Sequence, residues 1–354
     1  MTLVHPPVSQ TKEQIGSLCN SCDKETPGGA IPYAQRLLNI CAKQKGITVM
    51  KPIGGTAAVT AILILLATNI PFAQNTSSTS EAASHWKSVE DAIGRPGQLQ
   101  PGDVIKFSLP RKDLHVTIDG IEVKPGLALG SWLAFKQDGS RAMVMGDLVL
   151  TEDEVEPVMM KLQTEGIHES ALHNHLIRES PPVMYMHLAS HGDVVHMAKA
   201  IHDALALSKT PSPDMGAMAQ PPAELTFDQK QVEQILGYSG KVNAGILQFG
   251  VPRSEQITDS GTPVPASMGV ATALNFQPTG NGKAAITGDF VLLGSEVNPV
   301  IKALRENGIE VTALHSHMLM EEPRLFFMHF WANDDALKLA KGLRAALDHT
   351  NSAK

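Results

Sequence analysis

Histidine recurs in this chain at a spacing that suits metal coordination. His173 and His175 lie two residues apart, Glu179 and Pro181 follow, and His187 closes the stretch. The same set returns as His315, His317, Glu321, Pro323 and His329, while most apolar residues around it are exchanged for other apolar ones. A packed core asks only for volume and pattern, so three imidazoles and a carboxylate kept in register ask for a chemical reason. In an extended strand, residues two apart face the same side, which points His173 and His175 together. A hairpin turning about Pro181 sets His187 opposite His175, and the three Cβ atoms then converge within roughly 5–7 Å. That is the layout of a three-histidine site with an open fourth position. Glu179 is then a fourth ligand, a partner that fixes a histidine tautomer, or a general base toward bound water, and Glu321 has the same choices. Each repeat is expected to hold one divalent transition metal ion. Zinc comes first, although imidazole also suits copper, nickel and iron.

Other residues compete for a role. Met184, Met186, Met318, Met320 and Met328 invite a copper reading, but they occupy even positions where the strand histidines are odd, so they are expected to face the helices as core filler. Arg111 with Asp113, matched by Arg253 with Glu255, reads as a solvated ion pair of little energetic value. Gly146-Asp147 and Gly288-Asp289 also repeat, as a strand feature or, alternatively, with a site role for the aspartate. His168, His191, His196 and His202 occur in the first copy alone and read as surface residues, except that His191 shares the parity of His187 and is placed to line the first site. No nucleophile elbow, phosphate loop or H-E-x-x-H helix is present.

The elements that must position these residues form a duplication. Gly146–Leu205 aligns without a gap onto Gly288–Leu347, and upstream Phe107 to Arg111 answers Phe249 to Arg253. The copies span 86–209 and 225–349, joined by a proline-rich linker over 210–224 that continues neither helix nor ladder. In the first copy a short helix near 86–93 precedes strands at 103–109, 116–123, 131–135 and 142–150. A helix follows over 152–165, whose Val155, Val158, Met159 and Leu162 share a face, with acidic residues at its start and Gly166 at its end. Strands at 171–177 and 183–190 and a helix capped by Asp193 complete the unit. This order is a split β-α-β, ferredoxin-like layer. The fold class is α+β: two tandem repeats, each a mostly antiparallel sheet with helices on one face.

At 354 residues the chain holds two domains of ordinary size. A net charge of -7 and 5% aromatic residues offer neither the basic surplus nor the stacking surface for nucleic acid. Cys19, Cys22 and Cys41 all precede residue 50, so the repeats have no disulfide or thiolate site. Residues 1–49 lack apolar periodicity and read as disordered or as sequence upstream of the true start. Met50-Lys51 followed by an apolar run reads as a signal peptide over 50–73, or as an N-terminal anchor that would tie the protein to a membrane, followed by a polar linker over 74–85. The expected location is periplasmic or extracellular.

With the paired Gly-Asp-Leu-Val-Leu, Ala-Leu-His-Asn-His-Leu, Glu-x-Pro and Met-His segments in hand, the chain resembles the bacterial LppY/LpqO family of exported proteins. The resemblance covers nearly all of 86–349 and implies export and a tandem domain; no activity comes with it. The chain departs from the lipoprotein pattern in having no cysteine after its apolar run. The residues therefore support three readings: an exported metal-binding protein of His-x-His, Glu and His type, a metal-dependent hydrolase using Glu179 or Glu321 as general base, or an interaction module without metal.

Overall fold

The computed structural model describes residues 86–211 and 224–354. The segments read above as upstream extension, signal, polar linker and most of the proline-rich linker lie outside these. The first repeat runs α1 (86–93), β1 (Gln98–Gln100), β2 (Val104–Pro110), β3 (Val116–Ile118), β4 (Ile121–Val123), β5 (Gly130–Asp138), β6 (Arg141–Leu150), α2 (Glu152–Thr164), β7 (Glu169–His173), β8 (Met184–Gly192) and α3 (Val194–Leu205). The second repeats this order as α4 (Gln229–Leu236), β9 (Lys241–Asn243), β10 (Ile246–Pro252), β11 (Ile257–Asp259), β12 (Thr262–Val264), β13 (Ala271–Gly280), β14 (Lys283–Leu293), α5 (Val297–Glu306), β15 (Glu310–His315), the short β16 (Glu321–Glu322), β17 (Leu325–Asp335) and α6 (Ala336–Leu347). Among the described residues no helix is long and apolar enough to cross a membrane.

Each repeat builds a six-stranded antiparallel sheet, ordered β1-β2-β5-β6-β8-β7 and β9-β10-β13-β14-β17-β15. Because β8 lies between β6 and β7 and is antiparallel to both, β6-α2-β7 is a split β-α-β unit, as the element order implied. The long strand expected over 116–123 is instead the β3-β4 hairpin, folded at Asp119-Gly120 where both residues take positive φ. The strand expected over 171–177 ends at His173.

Helices cover one face of each sheet. Val158, Leu162, Met197 and Ile201 pack on Phe107, Phe135, Val144 and Met186 in the first repeat, and Val300, Leu304, Leu339 and Leu343 pack on Phe276, Ile286, Phe290 and Met328 in the second. The other face is covered by the opposite repeat. The β3-β4 arm and its return, with Val116, Ile118, Leu127 and Leu129, join Ile246, Ala285 and Trp331. Symmetrically, Ile257, Val264, Met268 and Val270 join Val104, Ala134, Met143 and Met145. Gln277 clasps the arm of the first repeat by accepting from the N–H of Lys124 and donating to the carbonyl of Glu122. With both faces covered, β6 is buried along nearly its whole length, which is why its sequence from Ala142 to Leu150 is apolar except at Asp147 and does not alternate. Met318 and Met320 depart from the parity expectation: both lie beyond the end of β15, where Met318 packs between the repeats and Met320 is exposed.

Arg111 is not a solvated ion-pair partner. Its side chain is fully buried, bonding Asp113 Oδ2 at 2.8 Å, Glu154 Oε2 at 2.7 Å and the carbonyl of Val149 at 2.7 Å. Glu154 also accepts from the N–H groups of Thr151 and Lys209, so one carboxylate ties strand end, helix start and the segment after α3. Arg253, Glu255 and Glu296 repeat the device, with the N–H of Asn351 in the place of Lys209. Burial acts to raise the Glu154 and Asp113 carboxyls, but hydrogen bonds from Arg111 outweigh it and hold both below the usual carboxylate range. A depressed folded-state pKa contributes stability above the unfolded value of roughly 4.3 for Glu, and that stability is lost as pH falls through the folded value. Glu154→Ala is therefore expected to destabilise the protein by on the order of 3 kcal/mol at pH 7, by leaving the guanidinium short of its partner. Urea unfolding followed from pH 7 to 3 should show a shallower acid-induced loss for the variant than for the native chain.

Candidate metal centre

Strand register places the functional side chains. In β6 and β8, Asp147 stands directly opposite His187; in β14 and β17, Asp289 stands opposite His329. On the far side of β8, β7 pairs Ala171 with His187 and His173 with Tyr185, after a register shift between Glu169 and Ala171 that β15 repeats between Val311 and Ala313. Such a bulge re-aims a strand end. His187 therefore faces Ala171, not position 175 as a tight hairpin about Pro181 would require. His175 and His317 sit beyond the strand ends, their rings stacked on Tyr185 and Phe327 at 3.3 and 3.6 Å. The loops are held from the opposite repeat, Thr312 donating to the carbonyl of His175 and Ser170 to that of His317.

The six histidines form a trigonal prism across the repeats. Ring centres of His173, His175 and His187 lie 5.0, 5.0 and 6.1 Å apart. Those of His315, His317 and His329 lie 4.8, 5.0 and 6.3 Å apart. The triangles stack ring on ring: His173 on His315 at 3.6 Å, His175 on His329 at 3.7 Å and His187 on His317 at 3.7 Å. These pairs exchange under the pseudo-two-fold that relates the repeats. The two sets of donors, expected as sites kept apart by the linker, are thus in contact. Ligand atoms within 4.8 Å of one another come from Asp147, His175 and His187, from Asp289, His317 and His329, and also across the repeats from His173, His175 and His329 and from His173, His187, His315 and His317.

Burial governs the electrostatics. It lowers every one of the six imidazoles, His329 to about 3, with neighbouring imidazoles adding to the effect at all but His173. It pushes Asp147 up to about 8, against the pull of Lys106, and it raises Asp289 well above the usual range, with Asp147 adding to that rise. The Asp–His contacts, 3.5 Å from Asp289 to His317 and 3.8 Å from Asp147 to His187, are too long for good hydrogen bonds. Nε2 of His173, His175, His187, His315, His317 and His329, with Oδ1 of Asp147 and Asp289, are all buried without a partner. His329 Nδ1 meets the carbonyl of Gly288 at 2.8 Å; donation there fixes the tautomer that leaves Nε2 free for a ligand bond.

All six predicted histidines come together; the two glutamates do not join them. Glu179 accepts from the N–H of Val183 and Glu321 from the N–H of Leu325, each anchoring the loop before its strand. Glu179 Oε2 is left buried without a partner, and burial pushes its carboxyl up to about 7. His191 leaves the cluster and pairs with Asp259 of the opposite repeat at 3.1 Å. Asp147 and Asp289, for which the sequence leaves a strand feature and a site role open, stand beside the histidines as further donors. Their signal was the repeated Gly-Asp: a Cβ at Gly146 would meet the Trp132 carbonyl oxygen at 2.9 Å and one at Gly288 the Ala273 carbonyl oxygen at 1.9 Å, so glycine lets the neighbouring strand close in beside the aspartate.

Fold and site define a tandem α+β protein with an imidazole–carboxylate cluster buried where its two repeats meet. The chain belongs to the family described as Domain of Unknown Function (DUF1259), matched twice, over 87–207 and 230–349. No curated protein matches it. Solved structures similar to it include a trimeric bacterial microcompartment shell protein, PduB, at 13% identity and a TM-score of 0.19, covering 73% of this chain and 95% of that one. EtuB from Clostridium kluyveri follows at 9% and 0.17, covering 71% and 90%. TM-scores this low lend no weight to a functional comparison.

Gly288→Ala is expected to lower stability by about 2–3 kcal/mol, because the new methyl meets backbone that cannot move alone. Gly294→Ala, whose methyl would meet Phe326 at an ordinary 3.5 Å, should change stability far less. Thermal unfolding of the two variants side by side checks the difference.

Proposed function

We propose that this protein binds divalent transition metal in one buried centre to which both repeats contribute. The observation that carries the reading is the set of eight buried donor atoms, six imidazole Nε2 and two aspartate Oδ1, that have no partner within the protein. An unsatisfied buried polar group costs roughly 1–3 kcal/mol, and a cation bonded to several of them offsets that cost at once. Imidazoles kept neutral by burial are already in the form that coordinates. A donor set dominated by imidazole suits zinc first, then copper, nickel or iron. Lys51, the apolar run after it and the resemblance to the LppY/LpqO proteins support an exported protein that meets its metal outside the cytoplasm.

A second reading, a metal-dependent hydrolase with Glu179 as general base, is favoured by Glu179 Oε2, which is buried without a partner, burial pushing the carboxyl up to about 7. A panel of ester, phosphate and peptide substrates, offered to native protein and to Glu179→Gln, supports it only if turnover appears and the variant loses it.

For the metal reading, cobalt(II) or zinc titration of untagged protein should give tight binding, with a visible cobalt spectrum. Replacing His187 and His329 together by Ala should weaken it by at least a hundredfold while circular dichroism stays unchanged. A native protein that takes up no metal, or a double variant that binds as the native does, contradicts the reading.

A further inference from the structure

Resting on the metal reading above, we propose that the centre is dinuclear: two divalent transition ions, one at Asp147, His175 and His187 and one at Asp289, His317 and His329, close enough to share a bridging ligand. Three observations point there independently of any titration.

The two donor groups have no residue in common, so both can be filled at once. The size of each triangle fits one ion. With metal–nitrogen bonds of about 2.0–2.1 Å, three imidazoles around a single ion place their ring centres roughly 5 Å apart, and two sides of each triangle measure 4.8–5.0 Å. The third side, between the two histidines that share a group with the aspartate, is 6.1 Å in one repeat and 6.3 Å in the other. That is the side along which the carboxylate enters.

Separation of the ions follows from the stacking. A metal bound to imidazole nitrogen lies near the ring plane, and the planes of His175 and His329, and of His187 and His317, are within 22° and 20° of parallel with centres 3.7 Å apart. Ions held in those planes are therefore about 4 Å apart, the spacing of two-metal sites. His173 and His315, 3.6 Å apart and tilted by 35° at the third corner of each triangle, cap one ion each. Two carboxylates against two divalent ions leave positive charge in excess, and an anionic oxygen bridge such as hydroxide reduces it in a buried site.

Copper(II) loading of the full chain tests this, with the metal count and electron paramagnetic resonance read on the same sample. The expected result is two coppers per chain, a spin count well below two and a half-field signal from the coupled pair. Asp147→Asn, and separately Asp289→Asn, should each hold about one copper per chain with an ordinary mononuclear spectrum. One copper per native chain, or two with a full uncoupled spin count, overturns the dinuclear centre and leaves the metal reading standing. Failure to take up copper, zinc or cobalt at all overturns both.

Discussion

Everything in this molecule depends on burying eight nitrogen and oxygen donors that the protein itself leaves without partners. Bringing that many polar groups out of water is unfavourable unless something bonds them, and the fold spends its most repeated features on doing it. The arms from one repeat cross the inner sheet face of the other and shut out solvent. The bulges in β7 and β15 turn the strand ends inward. Gly146 and Gly288 let neighbouring strands close in beside the aspartates. The arginine networks lie outside the centre but hold the strand and helix ends in place around it.

Duplication explains how a centre of this kind arises from a domain that brings only half of it. A single repeat presents three imidazoles and one carboxylate on an uncovered sheet face. A second copy supplies both the cover and the matching half, and the ring-on-ring pairs across the pseudo-two-fold exist only once the two are joined. The contact also explains why the inner faces carry apolar residues such as Val104, Met145 and Tyr185 beside the histidines. These side chains form the seal.

Much of this was legible in the sequence. The gapless repeat, the strand and helix order and the odd-numbered histidines are local or periodic signals, and they led to the split β-α-β sheet and to six residues that do converge. Strand ends and partners across space were not legible. Position 187 faces 171 and not 175 because a bulge, invisible to periodicity, shifts the register. The repeated Gly-Asp leaves the role of Asp147 open because its partnership with His187 is a cross-strand relation between β6 and β8. Arg111 looked solvated because Asp113 is its neighbour in sequence, whereas Glu154, which buries it, is brought near only by the fold. Met318 escaped its parity once the strand had ended. In each case a pairing of distant segments overrode the local pattern.

One measurement bears on the central claim most directly: anomalous diffraction at the metal absorption edge from crystals of untagged protein grown with zinc. The account predicts strong anomalous density among the stacked rings, about 2.0–2.2 Å from Nε2 of His187 and His329 and from the Asp147 and Asp289 oxygens. Ordered water alone among those rings, with zinc absent or bound elsewhere on the surface, would contradict it.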